Sequence, residues 1–138
     1  MSADHSLPPG AGWPVAAVLA VVPRGEEVCL VRRTNRPDSG LWGYPGGKIE
    51  PGEAVLDAAA RELHEETGIT ATPERVLTAL DIIRPGFHYV LIAVACRWDA
   101  GEPVADTDVD EAAWVPVTDI RAARLPMSDR VVTVLDLL

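Results

Sequence analysis

Residues 54–67 (AVLDAAARELHEET) present two faces that belong in different environments, and this constrains the fold more than any other feature. The stretch is rich in Ala, Leu, Glu and Arg, which favour helix. Val55, Ala59 and Leu63 recur every fourth position and form an apolar stripe suited to packing on a sheet. At 3.6 residues per turn, Glu62 lies one turn from both Glu65 and Glu66. Three carboxylates therefore share one stripe, where like charges repel. A salt-bridged solvated face is one explanation, because Arg61 can pair with Glu65 at i,i+4. A hard cation such as Mg²⁺, which takes oxygen ligands, is the other. Gly68 closes the helix, as a glycine in left-handed conformation does.

The surrounding chain reads as strands and loops. Residues 15–22 are apolar throughout, long enough for a buried strand and far short of the ~20 needed to cross a bilayer. Residues 28–33 follow the 24–27 turn as a second strand, predicting a hairpin between the two. Residues 34–52 hold three prolines and five glycines, which forbids a long regular element and marks a functional loop. Beyond the helix, 76–84 and 89–98 read as strands joined around Pro85-Gly86. An acidic loop at 99–111 leads to a short strand at 113–117, and 129–138 reads as a closing helix capped by Ser128 or Asp129. Residues 1–12 lack periodicity and are expected to be flexible, leaving 13–138 as a single domain. Strands and helices interleave without the regular alternation of a doubly wound fold. A mixed sheet between helices is the expected α/β architecture.

Charge and cysteine usage narrow the function. With a net charge of −9, the chain has the wrong sign for neutralising duplex DNA, so no nucleic-acid partner is expected. An acidic protein handling anionic phosphates needs a cation between the two. No secretory signal is visible at the start, and no membrane association is expected. Cys29 and Cys96 sit in apolar runs and read as buried reduced thiols, consistent with a cytoplasmic protein. Gly46-Gly47-Lys48 is not a P-loop, because Ile49 stands where Ser or Thr is required. No glycine fingerprint opens a helix after the first strand, and His64 has no second histidine four residues away.

The full spacing runs Gly47, five residues, Glu53, seven residues, Arg61-Glu62-Leu63, one residue, Glu65-Glu66, one residue, Gly68-Ile69. That pattern resembles the Nudix box at every specified position. The resemblance implies a Nudix-type α/β/α sandwich with a mixed β-sheet between helices. It also implies an Mg²⁺-dependent pyrophosphohydrolase, with Mn²⁺ as a possible substitute. In the resembled family the positions of Glu62, Glu65 and Glu66 carry most of the metal ligation, and the carbonyl at Gly46 adds another ligand. Glu53 assists the site, and Arg61 braces the carboxylates from behind. The general base varies between members, and Asp108, Asp110 and Glu111 are the loop candidates here. The family often forms homodimers.

Substrate contacts are read from local chemistry. Trp42 and Tyr44 offer aromatic faces that can stack on a base or ribose. Arg32, Arg33 and Arg36 gather at the end of the second strand, and alternation sends Arg32 and Arg33 to opposite faces. At most one of that pair reaches a pyrophosphate; Arg32 and Arg36 are taken as candidates. Arg84 and His88, which flank the later turn, and Glu111 in the acidic loop are further candidates. Pro85 lies sixteen residues past Ile69, as in ADP-ribose pyrophosphatases. The expected substrate is a nucleoside diphosphate linked to another group, foremost ADP-ribose or a related nucleotide sugar. The alternatives are a housecleaning (d)NTP pyrophosphatase and a non-catalytic nucleotide-binding module. The intact set of box carboxylates argues against the last.

Overall fold

A strand that is apolar at every position needs cover on both sides, and β1 (Val15–Val21) receives it. In the computed structural model, which describes residues 12–34, 39–106 and 108–138, β1 lies inside a four-stranded sheet. Its neighbours are β5 (Gly46–Lys48), antiparallel, and β7 (Phe87–Ala100), parallel. β6 (Thr70–Arg84) pairs antiparallel with β7, giving the mixed order β5-β1-β7-β6. A second sheet is antiparallel and centred on β3 (Glu27–Arg33), which pairs with β2 (Pro23–Arg24), β4 (Trp42–Gly43) and β8 (Val109–Pro116).

Helices cover both faces of β1. On one side Val18 and Ala20 meet Ala58, Ala59 and Leu63 of α1 (Val55–Thr67). On the other, Ala17, Leu19 and Val21 share a core with α2 (Val117–Arg121) and α3 (Arg130–Leu135) through Ile120, Val131 and Val134. The result is the helix–sheet–helix layering expected of the α/β class. Leu63 is fully buried, and its truncation to Ala would cost about 2–5 kcal/mol. No helix among the described residues is long and apolar enough to cross a membrane.

Several expectations need correction. β1 and β3 are not a hairpin: they belong to different sheets, and only the two-residue β2 folds back on the start of β3. The chain leaves the first sheet at Val22, whose carbonyl accepts from the Cys29 N–H at 3.1 Å. β6 and β7 extend well beyond 76–84 and 89–98. β6 absorbs Pro73 through register shifts on its partner, as an edge strand can. Both ends of the supposed 99–111 loop are strand, since β7 runs on to Ala100 and β8 begins at Val109. α2 falls where a strand end was expected. The last helix is shorter than 129–138 and carries no side-chain cap, because Asp129 already has helical dihedrals. Cys29 and Cys96 are free and buried, and burial pushes both thiols up to about 12. The expectation for the N-terminal segment lies almost wholly outside the described residues.

Candidate active site

α1 ends at Gly68, whose φ of 77° sets the left-handed cap and whose N–H donates to the His64 carbonyl at 2.9 Å. Laid on the sheet by its apolar stripe, the helix turns its acidic side toward β5. The three clustered glutamates then separate by environment. The side chains of Glu62 and Glu66 are 13% and 7% exposed, whereas that of Glu65 is 46% exposed. Glu62 and Glu66 line a cavity of about 650 Å³ together with Arg33, Gly46, Gly47, Lys48, Asp108 and Arg130. Its floor is the face of the mixed sheet, with Ala17, Leu19, Ile82, Tyr89 and Leu91.

Desolvation dominates the electrostatics of the two inner carboxylates. Burial pushes the Glu66 carboxyl up to about 7, opposed by Arg33 and by the Gly46 N–H, which donates to Glu66 Oε1 at 3.1 Å. The Arg33 guanidinium lies 3.9 Å from Glu66 Oε2 and also donates to the Tyr44 carbonyl at 2.6 Å. Glu62 is likewise raised by burial, with Arg61 opposing. A Cβ on Gly47 would overlap the Glu62 carboxylate, so glycine at that position makes the space the carboxylate occupies.

Arg61 gathers the outer carboxylates. Its Nε and Nη2 donate to both Glu53 oxygens at 2.6 and 2.9 Å, Nη1 reaches Glu65 at 3.1 Å, and Nη2 also donates to the Lys48 carbonyl at 3.0 Å. Those hydrogen bonds hold the Glu53 carboxyl down at about 2. Of the residues expected at the centre, the structure brings Gly46, Arg61, Glu62 and Glu66 to the cavity. Glu53 and Glu65 stand behind them on Arg61.

The donor chemistry fits a hard divalent cation. Two desolvated carboxylates and the backbone of Gly46 and Gly47 offer oxygen only, with neither thiolate nor imidazole among the lining residues. Among the described residues no three His, Cys, Asp or Glu side chains already converge as a ligand cage. Glu65, the third carboxylate of the expected set, points to Arg61 instead.

The substrate candidates mostly lie elsewhere. Tyr44 is 2% exposed and its hydroxyl donates to the Val131 carbonyl at 2.7 Å, so it is a core residue and not a stacking surface. Trp42 packs against the same core. Arg32 turns away from the cavity and pairs with Asp110 at 2.7 Å and Glu111 at 3.1 Å, which occupies both loop carboxylates. Arg84 and His88 line a separate small cleft with Trp13 and Phe87 at the β6–β7 turn. Arg36 lies outside the described residues. The sequence reading missed Lys48, Arg130 and the Ile82–Tyr89–Leu91 floor. It left Arg33 and Asp108 unranked among their neighbours. Alternation already separated Arg32 from Arg33; only the sheet pairing shows which side faces the cavity.

The NUDIX domain family matches residues 13–135. The chain belongs to the Nudix family. It is 34% identical over 108 residues to human "8-oxo-dGDP phosphatase NUDT18", covering 75% of this chain and 32% of that protein. The chain thus spans about a third of that relative's length. It is 33% identical over 108 residues to "Phosphatase NudJ" of Escherichia coli K12, covering 76% and 71% of the two chains. Among solved structures, a MutT NUDIX hydrolase from Burkholderia pseudomallei superposes with a TM-score of 0.81 at 27% identity, covering 91% of this chain and 98% of that one. As a Nudix protein with hydrolases and phosphatases for relatives, the chain is an enzyme of the pyrophosphohydrolase class. Nudix hydrolases generally use divalent metals, in keeping with the oxygen donors described above.

Proposed function

We propose that this Nudix enzyme hydrolyses the pyrophosphate bond of a nucleoside diphosphate linked to another group, with ADP-ribose or a related nucleotide sugar as the leading substrate. The observation that carries this reading is one cavity lined by two desolvated carboxylates and by Arg33, Lys48 and Arg130. Its volume of about 650 Å³ suits a nucleotide-sized ligand.

Glu62, Glu66 and the Gly46 carbonyl would hold Mg²⁺ or Mn²⁺, with Glu65 as a further ligand on leaving Arg61. A cation held there would supply charge neutralisation of the phosphate and activation of water at neutral pH. Arg33 and Lys48 donate to the diphosphate oxygens, so the anion is held in line for attack. The apolar sheet face of Ile82, Tyr89 and Leu91 takes the nucleoside and excludes water beneath it. Asp108, alone of the three loop candidates, lines the cavity, and in this reading it would accept a proton from the attacking water. Arg61 acts from behind, holding Glu53 and the Lys48 carbonyl at the end of β5 so that β5 and α1 keep their spacing.

A second reading, housecleaning of nucleoside di- or triphosphates, is favoured by the likeness to a relative named for 8-oxo-dGDP. A turnover screen separates the two. ADP-ribose, other nucleotide sugars, dinucleoside polyphosphates, (d)NTPs and 8-oxo-dGDP are incubated with Mg²⁺, and the released phosphate species are identified. AMP plus ribose 5-phosphate from ADP-ribose supports the leading reading, and preference for (d)NTPs or 8-oxo-dGDP supports the second. Undiminished turnover in EDTA would overturn the metal assignment.

A further inference from the structure

The last carbonyls of a helix have no partner within it, and α1 finds two of its partners in residues 101–106. The Glu66 carbonyl accepts from the Asp106 N–H at 3.0 Å, and the Thr67 carbonyl from the Val104 N–H at 2.9 Å. Gly101, at φ +96°, lies so close to the helix end that a Cβ there would stand 3.0 Å from the Gly68 carbonyl oxygen. Residues 101–106 therefore form a strap across the end of α1. They grip the backbone of the same residue whose carboxylate faces the cavity.

A clasp on the surface anchors this strap. The Glu102 carboxylate accepts from Arg24 Nη1 at 2.6 Å and from Trp114 Nε1 at 3.2 Å. The Arg24 guanidinium lies 4.1 Å from the Trp114 ring centroid and 5.0 Å from that of Trp98. Trp98 Nε1 donates to the Gly101 carbonyl at 2.9 Å. Three elements, β2, β7 and β8, thus converge on the strap. Past it, the chain enters the cavity at Asp108, whose carbonyl accepts from the N–H and hydroxyl of Thr34 at 3.3 and 2.9 Å.

We propose that Glu102 is a positioning residue. By fixing the strap between Arg24, Trp98 and Trp114, it sets the rotation and axial position of the last turn of α1, and with them the placement of Glu66. The inference rests on the reading of Glu62 and Glu66 as cation ligands. Glu102 is 65% exposed in its side chain, and exposed ion pairs contribute little to folding. Its role in positioning can therefore be separated from a role in stability.

The test compares wild type with Glu102→Ala and with Trp114→Phe, which keeps an aromatic ring but removes the donor to Glu102. Mn²⁺ binding is followed by electron paramagnetic resonance at 25 °C, amide exchange is read at Val104 and Asp106, and kcat and KM are measured on ADP-ribose. For Glu102→Ala the expected result is faster exchange at both amides, an Mn²⁺ Kd raised by roughly tenfold and a kcat lowered by roughly tenfold, with KM little changed. Trp114→Phe is expected to move the same quantities in the same direction by less. If both variants bind Mn²⁺ as wild type does, the strap proposal is overturned, even where their melting temperatures fall. If wild type itself fails to bind Mn²⁺, the cation site is overturned and the proposal with it. If wild type binds Mn²⁺ yet leaves ADP-ribose intact, only the substrate reading fails, and the Mn²⁺ and exchange data still decide for or against the strap.

Discussion

Two glutamates of the same segment, Glu66 in the last turn of α1 and Glu53 just ahead of its first, are treated in opposite ways. On the cavity side, Glu66 is buried and pushed up to about 7; on the outer side, hydrogen bonds from Arg61 pull Glu53 down to about 2. The inner carboxylate is held where its charge is poorly solvated, with Arg33 3.9 Å away as a partial counter-ion. The outer one is held where its charge is satisfied. The difference teaches that an acidic cluster in sequence is two devices in space. One is short of positive charge and suited to gripping a cation; the other is saturated with it and serves as a brace.

Substitutions can break this contrast. Glu66→Gln should have the largest effect, lowering kcat by more than about a hundredfold, beyond the range of outer-shell losses. The metal-free melting temperature should match or exceed that of wild type above pH 7, because a desolvated charge has gone. Steady-state kinetics beside thermal melts would check both. Arg61→Ala comes next. Loss of the brace should cost roughly tenfold or more in activity and also lower the melting temperature, since Glu53, Glu62 and Glu65 lose their shared counter-charge. Arg61→Lys should not restore either property, because a point charge cannot make the forked contact with Glu53.

A smaller effect appears on acidification. The folded state holds the Glu53 carboxyl at about 2, below its ordinary 4.5. Stabilisation from this pair is therefore complete above the ordinary value and is lost as pH falls toward the folded one. Urea melts of wild type and Glu53→Gln between pH 6 and about 2 should converge at the acid end; curves that stay parallel would rule out the pair as a source of stability. The smallest change is expected from Arg32→Ala. Its partners Asp110 and Glu111 are half exposed, so the melting temperature should barely change. Turnover should stay at the wild-type level, and a large loss would return Arg32 to the substrate site.

Much of the carboxylate helix was legible because its information is local. Helix propensity, the i,i+4 apolar stripe and the closing glycine all lie within one element, and α1 at Val55–Thr67 differs from the expected 54–67 by a single residue. The apolar runs likewise announced β1 and β3. Pairing was not legible. Residues 15–22 and 28–33 look like a hairpin by proximity, yet β1 pairs in parallel with β7, far along the chain. Tyr44 and Trp42 looked like a substrate wall because loop aromatics often are, whereas the Tyr44 hydroxyl is satisfied by Val131 from the last helix.

Sequence alone determined the carboxylates, their spacing and the Arg61–Glu65 pair one turn apart, because helical geometry follows from the order of residues. Tertiary structure alone decided which carboxylates face the cavity, which of two adjacent arginines reaches them, and how the strap from 101–106 meets the end of α1. Those outcomes depend on which distant strands pair and in what register. A shift of one residue in a strand moves every side chain to the opposite face, and nothing local to Arg32 and Arg33 selects between the two registers.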